Sequence, residues 1–182
     1  LSHFLFLETF LISLYFIDCI RYTYDENTIR KMKRGIQLSK ITDQFEMILK
    51  EKQIPLAKKV IDNGQTLYNG KFQITKQQAL PFGIVFDTGE GIIDYQIVYH
   101  QLAFVSDFNK KAAVLEVLNE LNELRSGYYR LCLGGDGEIY MRLLNRTSAD
   151  VQPLYEMLVT GSTIAKAVIP HIEAVINPTK SE

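Results

Sequence analysis

Apolar positions recur with a helical period along AAVLEVLNELNELRSG, where Val114, Leu115, Val117, Leu118, Leu121 and Leu124 give one broad apolar face. Asp107 is placed to cap this helix, and Gly127 to stop it as a C′ glycine. The period then changes. Tyr128 to Leu133 and Glu138 to Leu144 alternate as the two strands of a hairpin, joined by Gly134-Gly135-Asp136-Gly137. A long apolar-periodic helix follows over Asp150 to Ile176, capped by Thr147, Ser148 or Asp150, with Pro153 acceptable in its first turn. Gly161 and Pro170 predict a bend or break within it.

Upstream, Ser39 or Thr42 can cap a helix whose stripe is Ile41, Phe45, Ile48 and Leu49, and Pro55 ends it. LAKKVIDNGQTLYNGKFQIT carries Asn63-Gly64 and Asn69-Gly70, each a favoured two-residue hairpin turn, which predicts short strands. Pro81 to Phe86 and Ile92 to Val105 are rich in β-branched and aromatic residues around the turn-forming DTGEG, and read as paired antiparallel strands. No repeat or linker divides the stretch. The expectation is a single α+β domain over residues 39–178, an antiparallel sheet with packed helices in the order α-β-β-β-α-β-β-α, and a short tail at 179–182.

Composition narrows the function classes. At 182 residues, 47% apolar and 23% charged, the chain has the size and balance of one globular domain with a real core. A net charge of −1 supplies no global field for a polyanion, and the only basic cluster is Arg30 to Arg34, so nucleic acid is not an expected partner. Cys19 and Cys132 have no metal-ligand spacing and fit a reducing, cytoplasmic location.

Residues 1–38 read as an extension. The run LSHFLFLETFLISLYFIDCI has about the length that spans a bilayer, but Glu8 and Asp18 interrupt it. It lacks the basic start and small-residue cleavage site of a secretory signal. Met32-Lys33-Arg34 before a clean domain start looks like an initiator, which would make residues 1–31 translated upstream sequence. An amphipathic helix on the domain or a partner, and a membrane anchor, are the other two readings. A membrane is therefore a partner only if residues 1–20 are a genuine anchor.

The helix VLEVLNELN at Val114 to Asn122, the hairpin YYRLCLGGDGEIYMRLL at Tyr128 to Leu144, and the terminal VIPHIEAVI with its late Pro170 together resemble a known pattern. It is that of the type III secretion chaperone-like fold, and of the bacterial sensory transduction regulators with a YbjN-like domain. The resemblance implies a small α/β sandwich that pairs into dimers, binds other proteins and has no established catalytic residues.

Two turns carry candidate chemistry. Asp87-Thr88-Gly89 after Val85 and Phe86 matches the core of an aspartic-protease loop, a chemistry that needs two carboxylates sharing a proton. Glu90 stands where that family has a small residue, and a tight hairpin turn explains the same residues. Gly134-Gly135-Asp136-Gly137-Glu138 is similar to the glycine-rich hairpin of diguanylate cyclases, where acids hold Mg²⁺ against a nucleotide. Here Gly137 separates the acids and no upstream Asn-Asp motif exists; turn formation alone predicts these residues. His100 and His171 are isolated, and no serine has a nucleophile elbow, so no catalytic residue, metal site or cofactor is expected.

Aromatic residues are more suggestive. In the strand at Ile92 to Val105, Ile93, Tyr95, Ile97 and Tyr99 share one face, while Ile92, Gln96, Val98 and His100 tend to the other. One face meets helices; the other is either a partner or dimer surface or is closed by helices as well. Tyr95, Tyr99, Phe104, Tyr128 and Tyr140 are the expected partner-binding residues, because tyrosine gives contact area while tolerating water. The function that follows is a non-enzymatic, chaperone-like or regulatory adaptor for another protein, working as a homodimer. The alternative is a small-molecule or nucleotide-responsive sensor or enzyme built on the Asp87 and Asp136 turns.

Overall fold

The computed structural model describes residues 41–178 apart from positions 62, 63, 77 and 90, all within a compact unit that runs Lys40–Glu182. The expectations for residues 1–38 and 179–182 lie outside the described residues. Among those described, six strands form one antiparallel sheet and three helices pack on it. The order is α1 (Ile41–Glu51), β1 (Ala57–Val60), β2 (Thr66–Gln73), β3 (Ala79–Phe86), β4 (Ile93–Phe104), α2 (Lys111–Leu124), β5 (Arg130–Leu133), β6 (Glu138–Thr147) and α3 (Gln152–Ile176). The expected order therefore undercounts by one: four strands, not three, precede the middle helix. Across the sheet the strands run β1-β2-β3-β4-β6-β5.

The helix ends follow local chemistry. In α1, Ile41, Phe45 and Leu49 are buried, as their spacing requires. It closes by the two-bond pattern in which Ile54 N donates to Leu49 O and Gln53 N to Lys50 O, with Gln53 in the left-handed region that glycine usually fills. Asp107 caps a 3₁₀ turn, Phe108–Lys110, by accepting from Asn109 N, and that turn runs straight into α2. Asp150 receives Gln152 N at the start of α3, where Pro153 takes a first-turn position.

Two glycines act differently from expectation. Asn69-Gly70 is not a turn but lies inside β2, opposite Phe82. A Cβ on Gly70 would sit 2.6 Å from the Phe82 ring and 2.5 Å from Leu56, so the missing side chain makes room for that ring. Gly161 does not break α3, which is continuous from Gln152 to Ile176. It lies on the buried side, where a Cβ would meet the Tyr129 hydroxyl and the Tyr99 ring, each at 2.5 Å.

Strands β2 to β6 each bury side chains of one face against the helices, whereas the edge strand β1 is exposed at all of its positions. The cross-strand rows Tyr68-Ile84-Ile97-Leu143 and Phe82-Tyr99-Met141-Leu131 are buried, and α1 reaches the sheet where Phe45 meets Tyr68 edge-on at 5.4 Å and Phe86 at 5.2 Å. Tyr99 and Tyr129, 5.9 Å apart, both donate their hydroxyls to α3 carbonyls, Tyr99 to Leu158 and Tyr129 to Met157 at 2.9 Å. Burial leaves these hydroxyls satisfied rather than orphaned. It also pushes the ionisation of Tyr68, Tyr95, Tyr99 and Tyr129 upward, with desolvation the largest cause at each.

Candidate functional site

The alternation that buries one set of side chains presents the other set together. Two rows cross the open face, Lys59, Leu67, Val85, Gln96, Leu144 and then Ala57, Asn69, Gly83, Val98, Arg142, Arg130; beyond them Lys71 pairs with Pro81 and Tyr140 with Cys132, with His100 stacked on Tyr140. Each of these residues is half-buried or exposed, and no described helix lies on them. Of the two architectures the sequence left open, the helices cover one face only among the described residues. Leu144, 60% exposed, sits where a covered sheet would hide a leucine.

At one end of this face is a shallow groove of about 650 Å³, lined by Ile61, Val85, Asp87, Gln96, Leu144 and Arg146, among others. Asp94 and Arg146, opposite each other across β4 and β6, form an ion pair at 2.7 Å. At the other end Glu138 accepts from Gln101 N at 2.8 Å and lies 3.3 Å from His100 Nδ1. That arrangement follows from a bulge in β4 at Gln101, whose φ is +57°. His100 stacks on Tyr140 at 6.4 Å, and Tyr140 faces Cys132 across β6 and β5. Burial first, then the Cys132 thiol, pushes the Tyr140 hydroxyl up.

Arg130 and Arg142 are direct cross-strand partners. Like charges opposite each other destabilise a sheet pair, and neither guanidinium has an ion-pair partner among the described residues. Including these two, the open face carries five cations, Lys59, Lys71, Arg130, Arg142 and Arg146, against the carboxylates of Asp87, Asp94 and Glu138.

The five aromatic residues expected to bind a partner do not come together. Tyr95 and Tyr99 are 3% and 0% exposed and belong to the helix-covered core, Tyr95 reaching only the floor of the groove beside Asp94 and Arg146. Alternation put them correctly on one face with Ile93 and Ile97; it is the covered one. Tyr140 lies on the open face, half-buried. Phe104 is 52% exposed at the Glu138 end of β6, whereas Tyr128 is 71% exposed near Asn145 and Arg146 at the opposite end. No family model matches the chain, and no curated protein matches it.

The two aspartate turns are separated by the length of β4. Asp87 closes the β3–β4 end, and Asp136 the β5–β6 turn against the far end of β4, roughly 35 Å away at 3.3 Å per residue. Each carboxylate is held in its own turn: Asp87 accepts from Thr88 N at 2.8 Å and Gln65 Nε2 at 3.3 Å, and Asp136 from Glu138 N at 3.1 Å. The structure does not bring them to one site. Sequence reasoning placed Val98 on this face but missed Arg130, Arg142 and Leu144. The signal existed in EIYMRLLNRT, where Tyr140, Arg142, Leu144 and Arg146 alternate with the buried Ile139, Met141 and Leu143.

The sheet edges are also unlike. On β5, Gly134 N donates to Glu138 O, so by alternation the main-chain groups of Leu131 point outward. The Asn122 amide of α2 meets both, donating to Leu131 O at 3.0 Å and accepting from Leu131 N at 2.7 Å. That edge is closed there. On β1 the same alternation turns Lys58 and Val60 outward, beside an edge carrying two lysines. No helix among the described residues is long and apolar enough to cross a membrane.

Proposed function

We propose that this domain is a non-enzymatic protein-binding module, a chaperone-like or regulatory adaptor, and that the open face of its sheet is the docking surface. One observation carries the reading: all described helices lie on one face, while the other displays Leu67, Val85, Val98 and Leu144 among cations. A partner seated there removes the exposed apolar area from water, the main driving force for association. The likeness to the secretion chaperone-like fold and to YbjN-like regulators, read from the sequence, points the same way. So does the separation of the Asp87 and Asp136 turns, which leaves the sensor or enzyme reading without a shared centre.

The test is the double variant Val98→Asp with Leu144→Asp, two changes on the open face. It should keep the circular dichroism of the parent while losing the partner that the parent retains from a lysate of its host. Retention of the same partner by both proteins would move the docking surface elsewhere.

A further inference from the structure

The charge of the open face specifies what sits on it, given the reading above that the face is a docking surface. The whole chain is slightly acidic, at −1, yet this face carries a cationic surplus. Arg146 is neutralised by Asp94, and Glu138 is engaged by His100 and the Gln101 amide, so the positive charge without an ion-pair partner among the described residues lies at Arg130, Arg142, Lys59 and Lys71. Arg130 against Arg142 is the informative pair. Two arginines that pair directly in register on neighbouring strands bring like charges together, and a carboxylate bound between them converts that repulsion into a charge-assisted, two-sided contact. Val98 stands next to Arg142 across β4 and β6, and Leu144 lies two residues along the same strand on the same face, so apolar and cationic positions alternate within one footprint.

We infer that the occupant of the open face is an acidic amphipathic segment of another protein, its apolar side chains on Val98, Leu144 and Val85 and its carboxylates on the Arg130–Arg142 pair. A second copy of this chain is disfavoured by the same feature, since face against face would set one cationic surplus on another. The inference rests on the docking reading and fails separately from it.

The experiment is selection of a phage-displayed random peptide library on the full chain, followed by affinity measurement of synthetic versions of the selected peptides. Selected sequences should combine Asp or Glu with large apolar residues. Their affinity should fall about tenfold or more for Arg130→Glu with Arg142→Glu, and fall measurably for the milder Arg130→Gln with Arg142→Gln. Added salt should weaken them, and Leu144→Asp should abolish binding. Peptides that lose binding with Leu144→Asp but show no acidic preference, and no response to the arginine changes, overturn the charge inference and leave the docking surface standing. Peptides indifferent to Leu144→Asp overturn both. A dimer in sedimentation that Leu144→Asp dissolves makes the occupant a second copy, and the inference is then wrong.

Discussion

The two faces of one sheet, built from alternate residues of the same strands, have opposite fates. On the covered face, Tyr99 and Tyr129 dock on a glycine of α3 and every buried side-chain polar atom among the described residues finds a partner. On the open face, a leucine is 60% exposed and two arginines oppose each other without an ion-pair partner among the described residues. The first is how a sheet is arranged for stability. The second sacrifices some stability, because like-charge pairs and exposed leucines both cost free energy. Substitutions on the two faces should therefore separate cleanly, stability responding on one and binding on the other.

The largest expected effect is on the covered face. Tyr99→Ala removes a ring that touches Phe72, Phe82 and Tyr129 and anchors α3 through Leu158, and should cost about 3–5 kcal/mol, read as the urea midpoint. Gly161→Ala comes next. The added methyl collides with two tyrosines fixed by their own hydrogen bonds, and overpacking of this kind costs about 1–3 kcal/mol despite alanine's better helix propensity. A Gly161→Ala protein as stable as its parent would show that α3 can slide away from the sheet.

Both of these sites show why the sequence was only partly legible. Period and alternation located eight of the elements' cores, because those signals are local. They identified the residues of β4 that share a face without identifying which face the helices cover, since Ile92 and Val98 balance Ile93 and Ile97. Gly161 reads as a helix breaker until Tyr99 and Tyr129, distant in sequence, are brought against it. Asn69-Gly70 reads as a turn until Phe82 is seen across it. Partners supplied by the fold, rather than by neighbours along the chain, decided each case.

Acid and alkali should act on the covered face from opposite directions. Tyr68, Tyr95, Tyr99 and Tyr129 ionise above the ordinary value of 10, chiefly because burial disfavours the phenolate. Their contribution is complete below pH 10 and is lost as the pH rises beyond it, since the unfolded chain releases these protons first. The phenolate absorbance of this group should rise together with loss of circular dichroism; a full rise while the fold persists would contradict their burial. Glu46 works in reverse. Hydrogen bonds from Lys58 and then Tyr68 hold its carboxyl below the ordinary 4.5, so its smaller contribution is present above that value and fades as the pH falls through the lowered one.

At the β5 edge, Asn122→Ala exposes the main-chain groups of Leu131. Two hydrogen bonds of ordinary net worth predict a loss of about 1–2 kcal/mol. The consequence for solubility is more telling than the stability change, because an uncovered edge can pair with another chain. Concentration-dependent light scattering should appear in Asn122→Ala and be absent from the parent.

The smallest expected effect on stability is the sharpest test of the comparison. Leu144→Ala, on a side chain already mostly in water, should change the urea midpoint by no more than about 0.5 kcal/mol, whereas Leu143→Ala, one residue along β6 and 4% exposed, should cost about 2–5 kcal/mol. Neighbours in sequence then differ several-fold only because the strand turns one inward and the other outward. If the two variants were equally destabilised, Leu144 would be covered in the intact chain. The open face would then be part of the core, and the surface proposed here for a partner would already be occupied.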